Sequence, residues 1–357
     1  LAPAELLPAG SRSLLVLHPD ACRAVLDASP DVYGPPDVKV RGMSHFQPGA
    51  VTISTGEAWQ QRRAFNEEVL ASGTSVHPDA GGFLHEVERM VGGLTASGSS
   101  PISWADLLAG FRSMTAAIVF GPTAQAESVL RQLDELMARA NLIVPSHDPA
   151  RIAAFQRGIL ESITTASAGS LSAASCPHVT EGDALPVAGQ VPHWLFAMKG
   201  TLAINCAYAL ALVAADPEAQ ERVSEEAAGL DLADPEAVDG LRFTEGCLRE
   251  AMRLWPTTPL LVREAMHDTD LRGTKISKGE QVIIHNGFNH RHPEGVPEPD
   301  LFLPDRWEPG VWDYRFNHLS NGPQACAGRD LVLLLGKAVL GRLFRAGPWR
   351  LTSPSLT

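Results

Sequence analysis

The sequence predicts a mainly α protein with a minor β part, and three observations carry that expectation. Apolar residues recur at three- and four-residue spacing through 57–70, 83–94, 104–120 and 124–141, as helices with one buried face require. Residues 192–215 are apolar on nearly every face, which marks a helix buried on most sides. Proline and glycine clusters with short β-branched runs fill 1–55 and 257–309, and no alternating βαβ pattern supports a Rossmann sheet.

Element by element, the first 55 residues read as loops with short pieces of strand or helix, punctuated by Pro30, Gly34, Pro35, Pro36, Pro48 and Gly49. The helical stretch opens after Gly56. Residues 167–189, rich in Ser, Ala and Gly, read as a mobile connection of the kind that borders an access route. Asp216-Pro217-Glu218 supplies an N-cap and a proline at the first helical position for the helix that follows. The helix over 243–255 is stopped by Pro256. Runs such as 281–285 suggest hairpins in an irregular meander, and 329–344 forms a last helix. There is no internal repeat.

Composition narrows the function classes. With 29 Lys and Arg against 41 Asp and Glu, the net charge is −12 and no basic tract is present, which argues against nucleic acid and anionic membrane surfaces as partners. A hydrophobic fraction of 45% suits an ordinary globular core. Cys22, Cys176, Cys206, Cys247 and Cys326 are odd in number and scattered without a C-x-x-C pair, which fits a reducing cytoplasm better than a disulfide framework or a zinc site. Uninterrupted apolar stretches such as 206–215 fall short of the roughly 20 residues that span a bilayer. No signal peptide is evident, so a soluble, cytoplasmic protein is expected, and Leu1 in first position suggests a natural start further upstream.

One loop carries chemistry. Asn321-Gly322-Pro323-Gln324-Ala325-Cys326-Ala327-Gly328 sets a cysteine between glycines just before an apolar helix, where backbone N–H groups and the helix dipole favour the metal-ligating thiolate. Gly322 and Gly328 allow a tight turn and close approach of a flat ligand. Read alone, such a cysteine is more often a small buried residue. Glu250 and Arg253 lie at i and i+3 on one helix face, alone no more than a local ion pair. Some fifty residues on comes Phe302-Leu303-Pro304-Asp305-Arg306-Trp307, and about twenty later the cysteine.

In this order and spacing, Glu250-Ala251-Met252-Arg253, the F-x-P-x-R-W segment and the G-x-x-x-C-x-G loop resemble the cytochrome P-450 superfamily of haem-thiolate enzymes. Trp59-Gln60-Gln61-Arg62-Arg63 looks like the family's W-x-x-x-R helix, and the run from Trp194 looks like its long central helix. The part before Trp59 is several tens of residues shorter than usual. The resemblance implies one haem domain over residues 1–357, with haem b between the central helix and the cysteine loop, instead of the two domains that length alone suggests.

It also implies roles. Cys326 would be the axial ligand of the iron. Glu250, Arg253 and Arg306 would form a buried charge network, in which removal of one partner costs about 3–5 kcal/mol. Trp59, Arg63 and Arg263 would hold the haem propionates. Leu319 replaces the usual phenylalanine near the cysteine, and Gln324 replaces the arginine or histidine that reaches a propionate.

The central helix departs further. Ala197-Met198-Lys199-Gly200-Thr201 stands where A-G-x-D/E-T is expected, so the alcohol is kept and the acid is lost. At about 100° per residue, Met198, Thr201, Leu202 and Asn205 share one face, expected with Ala197 to lie nearer the distal substrate pocket, and Lys199 points roughly away from Thr201, paired with a carboxylate or snorkelling elsewhere. The expected activity is oxidation of a small or medium organic substrate in bacterial specialised metabolism by a monomeric enzyme, with a ferredoxin and its reductase supplying electrons. A ferredoxin is itself acidic, so a local basic patch is then required. With no acid at Gly200, the alternative is an isomerase, dehydratase or peroxide-dependent catalyst. The loop Ser320-Asn321-Gly322-Pro323 also resembles that of allene oxide synthases and hydroperoxide lyases, but lacks their insertion. A degenerate, non-enzymatic member is a third reading, against which the retained Cys326, Glu250 and Arg253 argue.

Overall fold

Helices carry most of the chain. The computed structural model describes residues 6–8, 13–96, 101–122, 125–142, 148–179, 185–292, 294–307 and 313–353. The helices are α1 (Pro19–Asp27), α2 (Asp37–Ser44), α3 (Gly56–Val69), α4 (Ala80–Thr95), α5 (Trp104–Phe120), α6 (Gln125–Ala140), α7 (Pro149–Thr164), α8 (Leu171–Ser175), α9 (Leu185–Ala188), α10 (Val191–Phe196), α11 (Ala203–Ala215), α12 (Pro217–Ala227), α13 (Pro235–Asp239), α14 (Arg242–Leu254), α15 (Asn286–Asn289) and α16 (Arg329–Arg345). The strands are β1 (Leu6–Pro8), β2 (Ser13–Val16), β3 (Tyr33–Gly34), β4 (Leu260–Ala265), β5 (Thr269–Leu271), β6 (Thr274–Ile276) and β7 (Gln281–His285).

The caps explain several boundaries. Ser103 and Asp106 form a reciprocal capping box at the start of α5, and the Asp216 carboxylate accepts from the Glu218 and Ala219 N–H groups, both at 3.1 Å. Helix α1 falls in the stretch expected to hold loops with short pieces of strand or helix, and α7 fills a stretch between 141 and 167 for which no element is expected. In α1, Pro19 follows the capping residue His18, and in α7 Pro149 follows Asp148, the same N-cap and proline signature as Asp216-Pro217. The segment 167–189 is largely ordered as α8, a 3₁₀ turn at Cys176–His178 and α9, with 180–184 outside the described residues.

The strands form a sheet in the order β1-β2-β7-β4-β3, in which β2 runs parallel to β7 and β4 pairs antiparallel with β7, Arg263 opposite Val282. β5 and β6 form a separate hairpin turning on Arg272 and Gly273, both at positive φ as a two-residue turn requires. Helix α1 lays Cys22, Val25 and Leu26 onto this sheet in a small apolar cluster. The larger core joins α4 to α7, the central helix, α12, α14 and α16, with Phe83, Phe111, Phe120, Phe155 and Phe344 fully buried.

From Val191 to Ala215 the chain is one continuous helix, interrupted only by a π turn at Ala197–Leu202. By length and apolar composition this helix is long enough to cross a bilayer, because coiling carries it through the polar residues that limit uninterrupted apolar stretches to about a dozen. It packs against α5, α14 and α16 within the fold.

Close approach of α14 to the meander depends on one glycine. A Cβ on Gly246 would lie 2.5 Å from the Pro304 carbonyl oxygen, whereas one on Gly92 in α4 would meet nothing within 4 Å. Gly246→Ala should therefore destabilise the protein by about 1–3 kcal/mol through overpacking, despite the better helix propensity of alanine. Gly92→Ala should stabilise it by about 0.5–1 kcal/mol. Urea denaturation of both variants checks the opposite signs.

Candidate functional site

Helix α14 ends in a buried ion pair. Glu250 and Arg253 are both fully buried, and Arg253 donates to the carboxylate twice, through Nε at 2.8 Å and a terminal nitrogen at 2.7 Å. The same carboxylate accepts from Arg306 Nε at 3.2 Å, the Leu303 N–H at 3.1 Å and the Trp307 indole N–H at 2.9 Å. Arg253 spends its remaining donors on the carbonyls of His290, Pro299 and Leu301, and Arg306 on those of Pro297 and Glu298. Glu250, Arg253 and Arg306 are thus brought together, and Trp307 joins them.

His290, which sequence reasoning passed over, couples this network to the cysteine loop. Its Nε2 accepts from the Asn317 N–H at 2.9 Å, so Nδ1 carries the proton and donates to the Arg253 carbonyl at 3.1 Å. Burial, with Arg253 nearby, pushes its pKa down to about 3. The Asn317 side chain then accepts from Asn321, the first residue of the loop, at 2.8 Å.

Loop 321–328 is held from two further sides. Gly322 sits at φ +67° with its α-carbon against α1, and a Cβ there would lie 2.5 Å from the Leu26 carbonyl oxygen. This glycine therefore serves close packing of protein on protein, and Gly328 meets only an ordinary contact with Leu70. From the side of α3, Arg63 donates to the Ala325 carbonyl and the Ser72 hydroxyl to that of Ala327, while the Gly73 N–H donates to Asp330 at 2.7 Å. Both carbonyls that flank Cys326 are thereby fixed. The cysteine keeps accessible surface although protein surrounds it. Burial pushes its thiol up from the ordinary value, against the opposing pull of the Gly328 N–H, Arg63 and Arg329. Burial thus works against the helix-start position, and a bound cation would favour the thiolate.

The other cofactor candidates are spread over separate elements. Arg63 is committed to Glu67 at 2.6 Å as well as to the loop. Trp59 lies half-buried on α3, and its indole N–H has no acceptor among the described residues. Arg263, 6% exposed, donates to the adjacent Val262 carbonyl, and its Nε is buried without a partner among the described residues. Gln324 is half-buried in the 3₁₀ turn before Cys326.

On the central helix the π turn alters the face expected from a regular 100° step. Met198, Leu202 and Asn205 are buried, the first two in the main core, and the Asn205 side-chain carbonyl oxygen has no partner among the described residues. Ala197, Gly200, Thr201 and Ile204 keep partial exposure and form an accessible, largely apolar stripe. The structure thus groups Thr201 with Ala197 and separates both from Met198, Leu202 and Asn205. Fewer degrees per residue across a π turn bring this about, and such turns recur at functional sites. Lys199 turns away and pairs with Asp134 of α6, which Arg112 of α5 also binds. Partial burial acts to raise the Asp134 carboxyl, but those two cations outweigh it and hold it below the ordinary range.

These features fit a haem. A lone accessible cysteine suits a metal that brings its other ligands, since among the described residues no group of three His, Cys, Asp or Glu side chains is placed to hold a bare ion. An accessible apolar helix stripe and unpartnered cationic donors suit a flat macrocycle with carboxylate arms. A separate cleft of about 440 Å³ between α4 and α5, floored by Met90, Leu94 and Met114, contains none of these residues.

The buried histidines set an acid limit. His193 is pushed down to about 4, chiefly by burial, and His318 well below its usual value for the same reason. Below about pH 6.5 an unfolded chain protonates these imidazoles and the folded one does not, so stability falls as pH drops, by up to about 1.4 kcal/mol per pH unit per histidine. Thermal melting should decline between pH 6.5 and 5, above the carboxylate range. In His290→Asn the decline should be shallower.

Residues 184–351 match the family model described as cytochrome P450. The chain is 30% identical over 166 residues to cytochrome P450 4c3 of Drosophila melanogaster and 29% over 168 residues to cytochrome P450 4V2 of Homo sapiens, each time covering 44% of this chain and 31% of the relative. Aromatase of Gallus gallus is 28% identical over 155 residues, 42% of this chain and 30% of the relative. The matched part thus spans about a third of the length of these curated relatives. It contains the whole charge network together with the cysteine loop that the network braces, and on that basis this part of the chain belongs to the cytochrome P450 family.

Proposed function

We propose that the protein is a haem-thiolate monooxygenase acting on a small or medium organic substrate. The observation that carries this reading is the cysteine loop, in which both carbonyls beside Cys326 are held by donors from the α3 side while the Glu250 network braces it from behind. Cys326 would bind the iron of haem b, and Arg263, Trp59, Arg63 and Gln324 lie in segments suited to its carboxylate arms. The bound group supplies the reductive activation of oxygen and its insertion into substrate. The chain's own residues orient the substrate and govern protons. The Thr201 hydroxyl, on the accessible stripe, can donate a hydrogen bond, but Gly200 holds no proton, so water or substrate must deliver it. We read residues 1–357 as one haem domain of a cytoplasmic monomer. Electrons from a ferredoxin and a ferredoxin reductase, and a role in bacterial specialised metabolism, complete the proposal.

The loss of the acid at Gly200 favours one second reading, a peroxide-dependent, isomerase or dehydratase chemistry that needs no reductase. Reduced protein with bound carbon monoxide should show the red-shifted Soret band of thiolate ligation, and Cys326→Ala should abolish it. A chain that takes up no haem under supplementation would rule out both readings. Single turnover with isotopic oxygen separates them: label in the product supports the monooxygenase, and turnover without oxygen or reductant supports the alternative.

Gly200 offers a direct probe, because a Cβ there would meet nothing within 4 Å. If protons limit the reaction, Gly200→Asp should raise the fraction of reductant recovered as product. Unchanged coupling would show that protons arrive by another route.

A further inference from the structure

Two cations, Lys39 and Arg263, lie within electrostatic reach of each other inside the fold, with no ion pair to either among the described residues. Arg263 is 6% exposed in β4, donates to its neighbour's carbonyl at 3.1 Å and keeps a buried Nε without a partner among the described residues. Lys39, in the first turn of α2, is enclosed by the fold yet accessible, as Cys326 is, and its ammonium has no partner among the described residues. Helix α2 is seated on β4 by the Asp37 N–H, which donates to Glu264 Oε2 at 3.2 Å, so the carboxylate next to Arg263 is turned to the helix start. Burial, and then the charge of Arg263, push the Lys39 ammonium down to about 8; burial pushes Arg263 down to about 10. The third group in this corner, His193, stays neutral, and its buried Nδ1 has no partner among the described residues.

Like charges enclosed together without an anion are costly, and a bound carboxylate removes that cost. A haem brings two carboxylates. Of the cations expected for them, Arg63 is occupied by Glu67 and the Ala325 carbonyl, and the loop position that usually adds another holds neutral Gln324. We propose that Lys39, together with Arg263, binds the porphyrin carboxylates and supplies the charge that Gln324 lacks. This rests on the haem-thiolate reading above.

Uptake of haemin and of its dimethyl ester, which has no free carboxylates, tests it on the full chain by Soret titration. Lys39→Met should weaken haemin binding at least about tenfold, as loss of one hydrogen bond to a charged group implies, leave binding of the ester unchanged, and be rescued by Lys39→Arg. Unaltered haemin affinity, or equal weakening of haemin and ester, would overturn the proposal. It would equally be overturned if Lys39→Met kept its haemin affinity but lost the spectral response to laurate while retaining that to dodecanol, which would assign the pair to an acidic substrate. A wild-type chain that binds no haemin through Cys326 would instead defeat the haem-thiolate reading itself.

Discussion

A carboxylate out of contact with water is tolerable only when its oxygens are fully engaged, and Glu250 meets that condition with five donors from Arg253, Arg306, Leu303 and Trp307. The arrangement is all or nothing. Most of these donors come from an irregular meander, so satisfying the charge fixes segments that have little secondary structure of their own. Arg253 extends the order by taking the carbonyls of His290, Pro299 and Leu301. Through His290 and Asn317 it reaches the first residue of the cysteine loop. The position of the thiol thus depends on an ion pair that never approaches it.

A loop braced from one side would still pivot. Here α1 lies under Gly322, and donors from α3 and the turn after it engage the carbonyls on either side of Cys326. Three elements distant in sequence converge on eight residues, which gives a loop the positional precision normally found on helices and strands. The central helix contributes differently. Its π turn leaves Thr201 on an accessible stripe, and the Lys199–Asp134–Arg112 chain of charges ties that turn to α5 and α6.

Much of the C-terminal half was legible in the sequence. Glu250, Arg253 and Arg306 are in contact, as the family resemblance implied for them, because each must satisfy a charge and few geometries do so at once. Trp307 stands within its motif, yet only the fold gives it a role, since an indole N–H has no sequence signature for its acceptor. His290 escaped notice for a similar reason, because its tautomer is decided by a backbone N–H twenty-seven residues away. Helix α7 is not evident from apolar spacing although Asp148-Pro149 carries an ordinary start signal, and α1 is capped by His18, a residue outside the usual set. The face of the central helix was misphased because a π turn breaks the regular step that such reasoning assumes. Lys39 offered no pattern at all, being one lysine in a proline-rich segment that tertiary structure brings to Arg263.

The raised Cys326 thiol has a consequence for the life of the chain before it acquires a cofactor. Thiolates, and not thiols, attack disulfides and react with peroxide. A thiol raised in this way holds a smaller thiolate fraction than a free cysteine, so burial lowers the reactivity of this accessible sulfur. Capture of the metal would displace the thiol proton, so the step that makes the sulfur a ligand is also the step that ends its protection.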